Sequence, residues 1–81
     1  MIYKILTQEI SINSANTVGN NQIIRVVNPT TSNTVLLVQY ANGTTYASAT
    51  VLANSEIVVT KNTTDLVIGS GQVATAVAYR Y

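Results

Sequence analysis

The chain of 81 residues contains no cysteine and no histidine. These absences exclude a disulfide framework, Ser-His-Asp and Cys-His nucleophile arrangements, and most transition-metal sites. The three acidic residues, Glu9, Glu56 and Asp65, lie far apart in sequence. We expect Glu56 and Asp65 on the surface, at strand entries or in turns, rather than as a catalytic carboxylate pair.

Two further patterns resemble catalytic motifs only superficially. Ser55 and Lys61 flank an ordinary strand pattern, which does not favour a serine–lysine pair. Gly69-Ser70-Gly71 lacks the lysine and the following helix of a phosphate-binding loop, so it predicts a plain turn. We therefore expect no enzymatic activity, no metal and no cofactor.

Charge is also scarce, because only 9% of the residues are charged and the net charge is +1. Four basic residues are too few for a surface that follows nucleic-acid phosphates, so we expect no nucleic-acid partner. A charge near zero also leaves little repulsion to oppose association between copies. No apolar run is long enough for a membrane helix or a cleaved signal, so we expect a protein made in the cytoplasm with no membrane partner.

The residues that are abundant favour an all-β fold. Ser, Thr and Asn fill 27 positions, and Val and Ile fill 19. Thr, Val and Ile are β-branched and favour strands, whereas Asn and Ser favour turns because their side chains bond to the nearby backbone. Turn signals recur about every 8–12 residues along the chain. The pattern is typical of a small antiparallel β-sandwich or barrel with seven to eight short strands.

The chain forms one predicted domain, 1–81, because it has no room for a second core. Residues 23–81 make its core, and residues 1–22 contribute one or two strands and a loop, or an arm. The predicted later strands share β-branched enrichment and turn residues at both ends; they cover 23–28, 34–41, 44–52, 56–61, 66–68 and 72–81. So small a core has neither disulfides nor a visible set of metal ligands to stabilise it. This predicts a homo-oligomer or attachment to a larger surface.

Two segments allow more specific predictions, of a hairpin turn and of a covered strand face. Asn42-Gly43 predicts a two-residue type I′ hairpin turn, with Tyr40 and Tyr46 on either side of it. Residues 72–81 alternate cleanly and place three alanines on one face. Such a slight face is unsuited to open solvent and predicts that something packs closely over it.

All five aromatic residues are tyrosines. Tyrosine joins a large apolar ring to a hydrogen-bonding tip, and Tyr and Arg are typical anchors of protein interfaces. We predict a partner interface that uses Tyr40, Tyr46, Tyr79, Arg80 and Tyr81. The alternatives are that Tyr40 and Tyr46 border the core and that the C-terminal end is a solvent-exposed tail.

Residues 23–81 also resemble a known group of proteins. ANGTTYASATVLANSEIVVTKNTTDLVI (41–68) followed by ATAVAYRY (74–81) is similar to small virion structural proteins of tailed phages, particularly those that infect cyanobacteria. The resemblance implies a capsid-decorating β-sandwich that lies on the virion surface, binds the major capsid protein or another virion protein, and has no catalytic residues. Residues 1–22 are not covered by it.

Other functions stay open at this point. Within the same particle, a tail, neck or fibre-attachment component is the second interpretation after the capsid-surface role. A small carbohydrate-binding module is an alternative of a different class, with Tyr40 or Tyr46 as a stacking platform. An enzyme would need activity that depends on Glu56 or Asp65.

Overall fold

The computed structural model describes residues 2–80, with the side chains of residues 4–78. These residues form eight strands: β1 (Ile2–Ile5), β2 (Ile10–Ser11), β3 (Ile23–Asn28), β4 (Thr34–Gln39), β5 (Thr45–Val51), β6 (Ser55–Thr60), β7 (Leu66–Gly69) and β8 (Val73–Arg80). The prediction of a small all-β fold with about eight strands is confirmed. The described residues contain no helix, and so none long and apolar enough to span a membrane.

The strands form two antiparallel sheets that pack as a small sandwich. The larger sheet has the order β1-β8-β3-β6, and β2 also pairs with β8. The smaller sheet has the order β5-β4-β7. The N-terminal segment is therefore tied into the larger sheet through β8.

The core lies between the sheets and follows the period-2 alternation of the strands. Along β3, Ile24 and Val26 point inward and are fully buried, while Arg25 between them lies on the outer face. The other buried apolar residues of the core cluster come from both sheets and from the segment before β3: Ile12, Val18, Leu36, Val51, Val67, Ala74 and Ala76.

The burial of the alanine face of β8 explains why its side chains are small. β8 is a central strand with β1 and β2 on one side and β3 on the other. Ala74 and Ala76 on this face are buried in the core cluster. The prediction that this face is closely covered is confirmed.

The two open sides of the sandwich differ. On one side, the segment after β2 covers the edge of β7, because Asn16 and Val67 exchange two backbone hydrogen bonds of 3.1 and 2.9 Å. Next to this bridge, the Gly69 N–H donates to the Ile12 carbonyl at 2.8 Å. On the opposite side, β5 and β6 are both edge strands, each with one partner strand among the described residues.

The turn between β3 and β4 is anchored by a buried amide. Asn28 is fully buried, and its Nδ2 donates to the carbonyls of Ser32 and Val51 at 2.9 Å each. Its Oδ1 accepts hydrogen bonds from the backbone N–H and the hydroxyl of Thr30. One side chain thus joins the end of β3, the following turn and the end of β5.

The hairpin between β4 and β5 is not the predicted two-residue type I′ turn. The Gly43 N–H donates to the Tyr40 carbonyl at 2.8 Å, and the Tyr40 N–H donates to the Thr44 carbonyl at 2.9 Å. Only Gly43 has positive φ, +90°, whereas type I′ needs positive φ at Asn42 as well. The loop is a three-residue connection in which glycine takes the left-handed position, and the Asn42 side chain caps it by accepting from the Thr44 N–H.

Candidate interaction surface

The β4–β5 hairpin carries much of the exposed apolar surface of the molecule. Among the described residues, six large hydrophobic side chains are exposed, and four of them lie on or directly beside this hairpin: Val35, Tyr40, Tyr46 and Leu52. Every residue of β5 from Thr45 to Thr50 is exposed, although the strand belongs to a sheet that faces a core. No charged residue occurs between Arg25 and Glu56 in the sequence. The hairpin therefore presents a neutral and partly apolar surface.

A β-bulge sets the position of Tyr46. Val38 pairs with Ala47 while the next residue, Gln39, pairs with Thr45. Tyr46 is thus the extra residue of β5 at this point. A bulge re-aims a side chain and increases the local twist, and here it directs Tyr46 to the β6–β7 turn.

Tyr40 and Tyr46 form one aromatic unit at the turn end of the hairpin. Their ring centroids are 4.3 Å apart and the rings are inclined by 26°, a stacked arrangement. The two residues remain 50% and 42% exposed, respectively. Neither belongs to the core cluster. The structure brings these two predicted interface residues together, whereas their role in binding stays a prediction.

Tyr46 also makes a hydrogen bond to a buried carboxylate. Its hydroxyl donates to Oδ2 of Asp65, a residue that is only 3% exposed. This bond, followed by partial burial and the Asp65 charge, raises the pKa of Tyr46 above its ordinary value. The expectation of a surface position for Asp65 was wrong, because the turn that it ends folds back against β5.

Lys61 is the second charged residue at this turn and is also buried. Its Nζ donates to the carbonyls of Asn62 and Thr63 at 3.2 and 3.4 Å. Burial lowers the pKa of Lys61, and the negative charge of Asp65 opposes that effect. The two opposite charges at the ends of the turn therefore partly balance each other inside the protein.

A shallow groove runs beside this cluster. The groove combines one aromatic ring with amide, hydroxyl and ammonium groups, and its lining residues are Gln22, Ile23, Tyr46, Thr60, Lys61 and Asn62. Such a mixture can accept either a protein loop or a polar small molecule such as a sugar.

The remaining acidic residues meet on the outer face of the larger sheet. Arg25 Nε bonds to Glu56, and Arg25 Nη1 lies 3.7 Å from Glu9 Oε2. The pairing register places Glu56 on β6 next to β3, because Glu56 pairs with Val27. Charge on the described surface is thus largely neutralised within the protein, and Lys4 is exposed without an ion pair among these contacts.

Two sequence patterns that resemble catalytic motifs, Ser55 with Lys61 and Gly69-Ser70-Gly71, do not form the corresponding arrangements in the structure. Ser55 begins β6 and Lys61 directly follows its last residue, on the order of 20 Å away along an extended strand. Gly69-Ser70-Gly71 is a turn, as predicted, in which the Gln72 N–H donates to the Gly69 carbonyl at 3.2 Å and Gly71 has φ of +71°. No group of three or more potential metal ligands gathers among the residues that the structure describes.

The C-terminal part of the predicted interface is only partly described. The backbones of Tyr79 and Arg80 lie in β8, where they pair with Tyr3 and Ile2 of β1. The side chains of Tyr79 and Arg80, and the whole of Tyr81, lie outside the described part of the structure. Their predicted interface role stays a prediction.

Comparison with protein-family models, with curated proteins and with solved structures gives no match for this chain. The resemblance to small virion proteins therefore stays a prediction that depends on residues 23–81.

Proposed function

We propose that this chain is a non-enzymatic structural protein of a tailed-phage particle, which binds the capsid surface and stabilises the shell. The observation that carries the proposal is the β4–β5 hairpin, an uncharged hairpin with a stacked and half-exposed tyrosine pair at its turn. Such a surface suits stable contact with another protein, because Tyr contributes both apolar area and a hydrogen-bonding tip. The resemblance in residues 23–81 gives that partner as a capsid protein.

The mechanism that fits this surface is burial of its apolar side chains against the partner protein. The ion pairs of Arg25 are satisfied within the protein, so they leave little charge for steering a partner. Exposed apolar side chains such as Val35 and Leu52 lose contact with water on binding. A sandwich that contacts two neighbouring capsid subunits at once would oppose their separation.

Capsid binding is tested directly by co-sedimentation of the purified chain with capsids of tailed phages that infect cyanobacteria. We expect saturable binding and a higher temperature of capsid disruption in the presence of the chain. The double variant Tyr40→Ala with Tyr46→Ala should bind at least about tenfold more weakly, a loss of about 1.4 kcal/mol. Leu6→Ala is the matched control, since Leu6 is an exposed apolar residue away from the hairpin.

The results separate the possible locations in the particle. Binding to tails or necks but not to capsids would favour a tail or neck component of the same structural class. Absence of binding to any particle component would overturn the proposal.

A carbohydrate-binding module is the second candidate, and the groove beside Tyr46 favours it. Tyrosine faces stack on sugars, and Gln22, Thr60 and Asn62 supply hydrogen-bonding groups at the same groove. Binding of the isolated chain to a glycan array, lost in Tyr46→Ala and retained in Leu6→Ala, would support this candidate. Absence of glycan binding would exclude it.

A further inference from the structure

The four sheet edges of the sandwich are protected to different degrees. Exposed edges invite pairing with other chains, and proteins block them with charges, short strands or covering loops. The β7 edge is covered by the bridge from Asn16, β1 has only four residues and carries the exposed Lys4, and the edge strand β6 carries Glu56. β5 is a seven-residue strand without charge or proline. Its bulge at Tyr46 protects only the end near the turn, so Ala47 to Thr50 form the least protected edge among the described strands.

The pairing of β4 with β5 shows which backbone groups of β5 point away from β4. The Tyr40 N–H points to β5, because it donates to the Thr44 carbonyl. The backbone N–H and C=O groups of successive residues point to alternate sides of a strand. The backbone groups of Val38 and Leu36 therefore also point to β5. Their partners in the register are Ala47 and Ala49. The N–H and C=O groups of Ser48 and Thr50, between and beyond these two alanines, therefore point away from β4 to the open side.

We infer that two copies of this chain pair through their β5 strands, antiparallel and about a twofold axis at Ala49. In this register, the backbone of Ser48 in each copy exchanges hydrogen bonds with the backbone of Thr50 in the other copy. The two pairs together give about four new backbone hydrogen bonds. The two Ala49 residues face each other as a pair without mutual hydrogen bonds, the closer of the two kinds of pair. The small side chains from Ala47 to Thr50 allow this approach.

A second copy fits this edge by charge and by symmetry. The hairpin is neutral, so two copies meet without the repulsion that like charges would create. An antiparallel pair about a twofold axis needs only one self-complementary strand, which β5 supplies. The product is a continuous sheet of the order β7-β4-β5-β5-β4-β7 that carries a Tyr40–Tyr46 pair from each copy.

The dimer would supply two binding sites for the proposed capsid role, and this purpose rests on the proposed function. A twofold dimer has two identical tyrosine units and thus two attachment points for a repeating protein surface. Two attachment points raise the overall affinity through effective concentration and allow one dimer to join neighbouring subunits.

Disulfide trapping tests the register, and the absence of natural cysteine makes the result unambiguous. Facing residues in such a pair have Cβ atoms about 4.5 Å apart, close enough for a disulfide after small adjustment. Under mild oxidation, Ala49→Cys should form a covalent dimer at least about tenfold faster than the control Ser14→Cys, in the exposed loop before β3. Equal rates for the two variants would overturn the inference.

Edge-blocking variants test the backbone pairing. Ser48→Pro removes an N–H that points to the open side, where proline is compatible with an edge strand. We expect its dimer to dissociate at least about tenfold more readily than that of Ser48→Ala, with unchanged circular dichroism. If Ser48→Pro does not fold, Ser48→Asp combined with Thr50→Asp supplies the test, because pairing would bring the carboxylates of the two copies together.

The outcomes for the dimer and for capsid binding are distinguishable. A chain that stays monomeric in light scattering at high concentration yet binds capsids would overturn the pairing and leave the proposed function standing. A dimer that is abolished by Ser48→Pro but does not bind capsids would support the pairing and overturn the proposed function.

Discussion

The hydroxyl of Tyr46 donates a hydrogen bond to the buried carboxylate of Asp65, and this bond joins the β5 bulge to the turn between β6 and β7. The bond fixes one end of an edge strand that otherwise pairs only with β4 among the described strands. It also orients the ring that stacks on Tyr40. The exposed aromatic unit is therefore held by a contact to a buried charge, which suits a rigid binding surface.

The Tyr46 phenol should lose its proton at higher pH than an ordinary tyrosine, whose pKa is 10.0. The hydrogen bond to Asp65 is the first cause, because a negative partner disfavours the phenolate. A raised folded-state pKa means that the contribution to stability is fully present below about pH 10 and is lost as the pH rises through the raised pKa. Ultraviolet difference spectra of the tyrosinate, compared between the natural chain and Tyr46→Phe, isolate this group.

Asp65→Asn is the control for this titration. It keeps the shape of the side chain and removes its charge, so the pKa of Tyr46 should return toward the ordinary value. An unchanged titration of Tyr46 in Asp65→Asn would contradict the role assigned to this bond.

Asn28→Ala should lower the free energy of unfolding by about 2–3 kcal/mol, because the buried Val51 carbonyl loses a donor and the turn loses its anchor. Asn33→Ala is the matched control. Asn33 accepts from the Ala53 N–H at 2.9 Å but is exposed, so water replaces the lost bond and the cost should stay near about 0.5 kcal/mol. Urea unfolding of both variants gives the comparison, and equal costs would contradict the assignment.

Gly69→Ala should destabilise the protein by roughly 1–3 kcal/mol. A Cβ at Gly69 would overlap the Gln72 side chain, which is fully buried and donates to the Thr34 hydroxyl at 2.6 Å. In the background of Gln72→Ala, the added methyl group has space and the cost should largely disappear. A double-mutant cycle measures this coupling; the same cost in both backgrounds would show that the overlap does not matter.

Association through β5 should depend little on salt. The strand has no charge, so screening has no ion pair to weaken, and the dissociation constant should change less than about twofold between low and physiological ionic strength. Ser48→Asp combined with Thr50→Asp should instead associate more tightly as salt rises. Sedimentation equilibrium at several ionic strengths makes the measurement, and a steep dependence in the natural chain would count against a neutral interface.

Much of the fold could be predicted from local pattern. The strand 23–28 was predicted from a short apolar run rich in β-branched residues, and it agrees with β3. The strand 72–81 was predicted from alternation at period 2, and it agrees with β8. The loop length at Asn42-Gly43 could not be resolved in this way, since Gly43 satisfies a three-residue loop as well as a two-residue one. Nothing in the pattern marks Val18, which is buried with a left-handed φ of 54°, an uncommon conformation for a β-branched residue.

The candidate surface was predictable only in part. Tyr40 and Tyr46 were expected on either side of the turn, and the structure stacks them. The burial of Asp65 and the edge position of β5 depend on contacts between segments that are distant in sequence. Local pattern carries no signal for such contacts, although the opposite charges at the two ends of the KNTTD turn hint that Lys61 and Asp65 face one environment.

Size-exclusion chromatography with light scattering, on the natural chain alone and mixed with purified capsids of tailed phages that infect cyanobacteria, tests the central claim most directly. A non-enzymatic structural protein that associates through neutral surfaces should elute alone at the mass of a dimer. In the mixture it should elute together with the capsids. A monomer that elutes apart from the capsids would contradict both the structural role and the pairing through β5.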